Sequence, residues 1–180
     1  MKRILKQYWG YDDFRGIQSE IIQSVMSGHD TLGLMPTGGG KSIAFQVPAL
    51  AKYGVCIVVT PLIALMKDQV QNLKRRNIRA EAVYSGMDHQ EVIRILENAI
   101  FGGVKLLYVS PERLSSELFI KKVKHMKVSF LTVDEAHCIS QWGYDFRPSY
   151  RKIAELRNIV GKDIPVLALT ATATPKVIED

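Results

Sequence analysis

The sequence predicts an α/β fold, a mainly parallel sheet with helices on both faces, on two observations. Short apolar runs alternate with segments of helical spacing along the whole chain. The runs are apolar throughout instead of alternating apolar with polar, as strands buried on both faces require.

Taken in order, the runs read as strands are Asp30–Met35, Val55–Thr60, Glu81–Tyr84, Lys105–Ser110, Val128–Val133 and Val166–Leu169. Between the first two lies a helix that contains Pro48, where a kink or loosened first turns are expected. In Leu62–Arg76, the residues Leu62, Met66, Val70 and Leu73 share one helical face. Val92, Leu96 and Ala99 do the same in Asp88–Phe101, which Gly102-Gly103 should end through a left-handed cap. Gly28 has the same task after Ile17–Ser27.

The chain has 180 residues, one domain's worth, and is 47% hydrophobic and 23% charged. Mean hydropathy is near zero. No apolar run is long enough for a membrane span, and the basic start MKRILKQYWGYDD lacks an apolar signal core, so a cytoplasmic location is expected. Cys56 and Cys138 are far apart beside apolar runs, which suits buried free thiols better than a metal site or a disulfide. The formal net charge of +6 suits a polyanionic partner, whereas KKVKHMK (Lys121–Lys127) reads as a solvated helix end.

Parallel sheets bind ligands at the carboxyl ends of their strands. After the first strand comes MPTGGGKS (Met35–Ser42), a phosphate-loop pattern whose first glycine is replaced by Met35. Glycines let backbone N–H groups surround phosphate oxygens, Lys41 would reach the phosphates, and the Ser42 hydroxyl would ligate Mg²⁺. The fifth apolar run ends in Asp134-Glu135-Ala136-His137. Asp134 suits a metal partner and Glu135 a general base for the attacking water.

Asp134–His137 resembles motif II of superfamily 2 helicases in its DEAH form, a group in which the phosphate loop often lacks its first glycine. DEAHCISQWGYDFRPSY (Asp134–Tyr150) resembles, more narrowly, the RecQ family of DNA helicases. The spacing Leu5-x₃-Trp9-Gly10-x₃-Phe14-Arg15-x₂-Gln18-x₂-Ile21 is similar to that family's adenine motif. Thr60–Gln69 resembles motif Ia, Tyr108–Leu114 motif Ib and Ala168–Ala173 motif III. The resemblance covers nearly the whole chain in order, and it implies a RecA-like P-loop NTPase domain that uses ATP and Mg²⁺.

It implies the following roles. Gln18 would read the adenine edge, while Tyr11 and Arg15 sandwich the ring. Thr37, Gly38, Gly39, Gly40, Lys41 and Ser42 would hold the phosphates, and Asp134 and Ser42 the metal. Lys41 and Glu135 would be the catalytic pair. His137, Thr170 and Thr172 would couple the nucleotide site to motif III, with helix capping as the alternative for the two threonines. DNA would meet Thr60, Pro61, Leu62, Ser110 and Arg113, through main-chain N–H groups, hydroxyls and the Arg113 cation. In the loop Ser140–Arg147, Trp142 and Phe146 with Arg147 form a stacking platform for single-stranded DNA.

Family members carry a second motor domain with an arginine finger, plus zinc-binding and winged-helix modules; none is legible in these residues, so residues 1–180 are expected to be the first motor domain only. The implied activity is ATP-driven 3′-to-5′ translocation and duplex unwinding in DNA repair and recombination. Two other readings stay open: another superfamily 2 motor such as an RNA helicase, and a non-enzymatic nucleic-acid-binding module.

Overall fold

The computed structural model describes residues 1–35, 40–134 and 147–170, for 147–151 the backbone only. Six strands form one parallel sheet. They are β1 (Thr31–Leu34), β2 (Val55–Val59), β3 (Ala80–Val83), β4 (Leu106–Val109), β5 (Val128–Val133) and β6 (Val166–Thr170), in the order β1-β6-β5-β2-β4-β3. All six expected strands are present. The helices are α1 (Lys2–Trp9), α2 (Gln18–Met26), α3 (Ile43–Ala51), α4 (Ile63–Arg75), α5 (His89–Ile100), α6 (Glu117–Val123) and α7 (Arg147–Val160), with a 3₁₀ turn at Pro111–Ser115.

Side chains leave a strand alternately on its two faces, and here both faces are covered. Cys56, Val58, Leu106 and Tyr108 point to a layer with Ile21 of α2, Phe45 of α3 and Met66 of α4. Val55, Ile57, Leu107 and Val109 point to the other, with Leu96 of α5, Phe119 of α6 and Leu156 of α7. Each such apolar side chain contributes roughly 1.5–3 kcal/mol by leaving water, so the continuous apolar runs are the signature of this double covering.

The helix faces follow the expected spacing, with one correction. Met66, Val70 and Leu73 of α4 are buried, as are Val92, Leu96 and Ala99 of α5. Leu62, expected on the apolar face, is instead the exposed N-cap of α4. Gly28 and Gly102 adopt φ of 87° and 84°, the left-handed caps expected of them. Pro48 lies inside α3, where it removes the N–H that would bond the Ala44 carbonyl. Lys121 and Lys122 close α6, with Val123 and Met126 buried beside them, so that run is a helix end.

Cys56 is free and fully buried, and burial pushes its thiol up to about 12. Cys138 lies outside the described residues. Among the described residues no helix is long and apolar enough to cross a membrane.

Candidate functional site

The carboxyl edge of the sheet gathers the residues that the motifs single out. β1 runs into Met35, whose N–H donates to the Thr170 carbonyl at 3.0 Å, so the end of β6 sits beside the start of the glycine loop. Met35 is buried in the core layer under α3. The position thus serves packing. Pro36, Thr37, Gly38 and Gly39 lie outside the described residues. Gly40, Lys41 and Ser42 form the turn into α3, with the Ile43 N–H on the Gly40 carbonyl and the Gln46 N–H on the Ser42 carbonyl.

Lys41 Nζ lies 3.1 Å from Asp134 Oδ1, and the two side chains are 11% and 1% exposed. This contact joins the glycine loop to the end of β5. An ion pair this deep is retained only where its geometry is good, and it adds little stability over an apolar pair. A carboxylate and a cation at the end of buried parallel strands, beside a helix N-terminus, therefore mark a site and not a structural staple. The hydroxyl of Ser42 and the carboxylate of Asp134 are hard oxygen donors of the kind Mg²⁺ takes. Among the described residues no cluster of three or more His, Cys, Asp or Glu forms a metal site.

A cavity of about 380 Å³ opens beside this turn, lined by Leu5, Tyr11, Arg15, Gln18, Met35 and Gly40 among others. Gln18 is buried and its amide is bridged: the Arg15 N–H donates to Oε1 at 2.8 Å, and Nε2 donates to the Gly40 carbonyl at 2.9 Å. The residue expected to read a base thus also ties the α2 entrance to the glycine loop. A Cβ on Gly40 would lie 2.3 Å from Gln18 Nε2, and its φ is 76°, so only glycine fits. The Arg15 guanidinium carbon stands 6.0 Å from the centre of the Tyr11 ring, and that ring is half exposed. The expected trio of Tyr11, Arg15 and Gln18 is brought together around one cavity.

The motif Ia and Ib residues depart from expectation in one respect. The N–H groups of Thr60 and Ser110 are used by the sheet, donating to Val109 and Val83 carbonyls at 3.2 and 3.1 Å. These two N–H groups are therefore engaged within the sheet. Their hydroxyls are buried and have no hydrogen-bond partner among the described residues. Pro61 and the exposed Leu62 follow at the surface. Arg113 Nε donates to the Tyr84 carbonyl at 3.0 Å. Lys67 Nζ stands 4.8 Å from the Tyr84 ring centre.

Tyr84, which no motif covers, belongs to this edge, as does Lys67 of the motif Ia run Thr60–Gln69. The signal was present, since Tyr84 follows β3 as the other site residues follow their strands.

A polar thread joins two of these regions beneath the surface. Gln46 Nε2 of α3 donates to the Tyr108 hydroxyl at 3.0 Å, and that hydroxyl donates to Gln69 Oε1 of α4 at 2.6 Å. Burial pushes the Tyr108 phenol well above its ordinary range, so it stays protonated.

Thr170 is buried at the end of β6, level with Leu34 of β1. Glu135, His137, Trp142, Phe146 and Thr172 lie outside the described residues. Arg147, expected in the loop, is the first residue of α7, and Pro148 follows in its first turn. Proline is favoured there because its fixed φ suits a helix start and its missing N–H is not needed.

A nucleotide-sized cavity beside a Gly-Lys-Ser turn, with an aspartate at the end of buried β5, defines a P-loop nucleotide-binding domain. Residues 15–180 match the model of the DEAD/DEAH box helicase family, and the chain belongs to that family. It is 48% identical over 98% of its length to the ATP-dependent DNA helicase RecQ of Bacillus subtilis, of which it covers 30%. It is 45% identical over its whole length to the probable ATP-dependent DNA helicase RecS of the same organism, covering 36% of it. The chain thus spans about a third of these curated relatives. Among solved structures, the DUF1998 helicase MrfA bound to DNA and AMPPNP matches 98% of the chain at 17% identity and a TM-score of 0.79, over 27% of its own length. The fold is therefore that of a RecA-like helicase domain.

Proposed function

We propose that this chain is the ATP-binding lobe of a RecQ-like DNA helicase, coupling ATP hydrolysis to 3′-to-5′ movement on single-stranded DNA and to unwinding. The observation that carries the reading is the 3.1 Å contact between Lys41 and Asp134 beside the cavity lined by Tyr11, Arg15 and Gln18. The likeness to bacterial RecQ proteins across the chain supports DNA as the substrate.

In this reading the adenine lies in the cavity against Tyr11, with Gln18 and Arg15 fixing its edge and face. Lys41 exchanges its carboxylate for phosphate oxygens, and the α3 N-terminus adds partial positive charge. Ser42 and Asp134 would hold Mg²⁺, which neutralises charge on the phosphates when bound. Glu135 would orient the attacking water. Exposed Leu62 and half-buried Arg113 would face the nucleic acid, the buried hydroxyls of Thr60 and Ser110 would lie beneath them, and the Gln46–Tyr108–Gln69 thread joins that surface to α3. A second motor domain of the same parent chain would complete the site from the other side with an arginine finger, which is worth roughly 10³–10⁵ in rate.

ATP hydrolysis should be measured with and without single-stranded DNA, for this chain and for the chain extended by the following domain. The extended protein should respond to DNA and the lone chain should be nearly inactive. Turnover by the lone chain, stimulated by DNA, would overturn the split-site reading; stimulation of the extended protein by RNA but not DNA would overturn the substrate.

A further inference from the structure

The amino edge of the sheet, opposite the nucleotide loop, holds a second basic cavity. It has a volume of about 290 Å³ and opens between α1, the end of α3 and the starts of β3 and β4. Gln7 and Tyr8 of α1, Leu50 of α3, Asn77, Arg79 and Lys105 line it, and among the described residues no carboxylate does. Lys105 is fixed in place, its ammonium donating to the carbonyls of Lys52 and Gly54. An ammonium has three protons, so one remains for a ligand. The α1 wall is also fixed: Arg76 donates to the Tyr8 carbonyl at 3.2 Å, and its guanidinium lies 5.7 Å from the Trp9 ring centre.

Among the described residues, Lys41 is paired with Asp134 and Arg157 with Asp30. Arg79 and Lys105 share a cavity with no carboxylate on either. Burial first, and the Arg79 charge next, hold the Lys105 ammonium below its ordinary range. Two like charges converging on one hollow are relieved by an anion placed between them.

We propose that this cavity is a phosphate-binding site. Arg79 and Lys105 neutralise the phosphoryl oxygens, and the amide groups of Gln7 and Asn77 donate to them. The same chemistry serves a free phosphate or phosphomonoester and a phosphate of a nucleic-acid backbone crossing this edge.

The test is a titration of the ¹⁵N-labelled chain with inorganic phosphate, against chloride at matched ionic strength. The Asn77, Arg79 and Lys105 amides report this cavity, and the Gly40, Lys41 and Ser42 amides report the nucleotide loop separately. Saturable shifts at the first group, absent in chloride, are expected. Gln7→Glu and Arg79→Gln, both at exposed positions, should each weaken that binding tenfold or more. Under both variants the loop shifts and the rest of the spectrum should stay in place. No saturable shift, equal shifts in chloride, or unaltered binding in both variants would overturn the proposal. A short single-stranded DNA then separates the sources. Competition with phosphate at these amides identifies a backbone phosphate, and phosphate shifts without any DNA effect identify a free anion; either result upholds the site.

Discussion

The two edges of one sheet treat polar groups differently. At the carboxyl edge the Lys41–Asp134 pair is almost wholly buried, and the Thr60 and Ser110 hydroxyls are buried without partners among the described residues. At the amino edge, Asp30 holds Arg157 through two contacts of 2.8 and 3.0 Å and also accepts the Val166 N–H at 3.0 Å. That cluster is half exposed and locks α7 to β6. The first edge carries polarity that costs stability, and the second uses polarity to fasten the fold. Substitutions at the two should therefore separate activity from stability.

The largest effect belongs to Lys41→Ala. Removing a cation aimed at transferring phosphates costs about 10²–10³ in rate. ATPase activity of the extended protein per folded molecule should fall by at least that factor, and its urea midpoint should also fall, because the buried Asp134 carboxylate loses its cation. A fall in activity no larger than the lost folded fraction would erase the distinction between the edges.

Gly54→Ala should act in the opposite sense. Gly54 has φ of 108°, and a Cβ there would sit 2.5 Å from the Lys127 carbonyl oxygen, which is backbone and cannot swing away. Left-handed strain plus the clash should cost about 2–4 kcal/mol of stability. Urea unfolding reads the loss, and ATPase per folded molecule of the extended protein should be unchanged.

Asp30→Ala comes next, at about 1–2 kcal/mol, discounted because both partners are partly solvated. Asp30→Asn keeps an acceptor for the Val166 N–H and should cost less. Equal losses would show that the charge contributes nothing.

The strands were legible because burial on both faces leaves continuous apolar runs such as Val55–Val59 and Leu106–Val109. The Lys41–Asp134 meeting was legible because Asp134 directly follows such a run and Lys41 closes the glycine loop that follows another, each in a recognisable pattern. Other features were not. α1 buries Leu5 alone, so its helical character comes from packing on α3 and the Arg76 contacts more than from a wide apolar stripe. The Arg79–Lys105 cavity joins segments distant in sequence, with no motif to signal it. That the sheet consumes the Thr60 and Ser110 N–H groups follows from register, which places β2 against β4 and β4 against β3. Composition cannot show register.

The smallest effect sharpens the comparison most. Ser129 also has a buried hydroxyl without a partner among the described residues, but near the start of β5, on the amino side. An unsatisfied buried hydroxyl costs about 1 kcal/mol or more wherever it lies. Thr60→Val, of the same shape, and Ser129→Ala should therefore each raise stability by up to about 1 kcal/mol, the alanine gaining less because it leaves a small void. Their functional outcomes should differ. Thr60→Val should weaken single-stranded DNA binding by the extended protein, measured by fluorescence anisotropy, because the proposed function puts the nucleic acid at the carboxyl edge, above that hydroxyl. Ser129→Ala should leave the affinity unchanged. If both variants gain stability and neither loses affinity, the Thr60 hydroxyl is a packing defect and not a held-back ligand. If Thr60→Val instead loses stability, the hydroxyl has a partner outside the described residues, and the carboxyl edge is fastened in the same way as the amino edge.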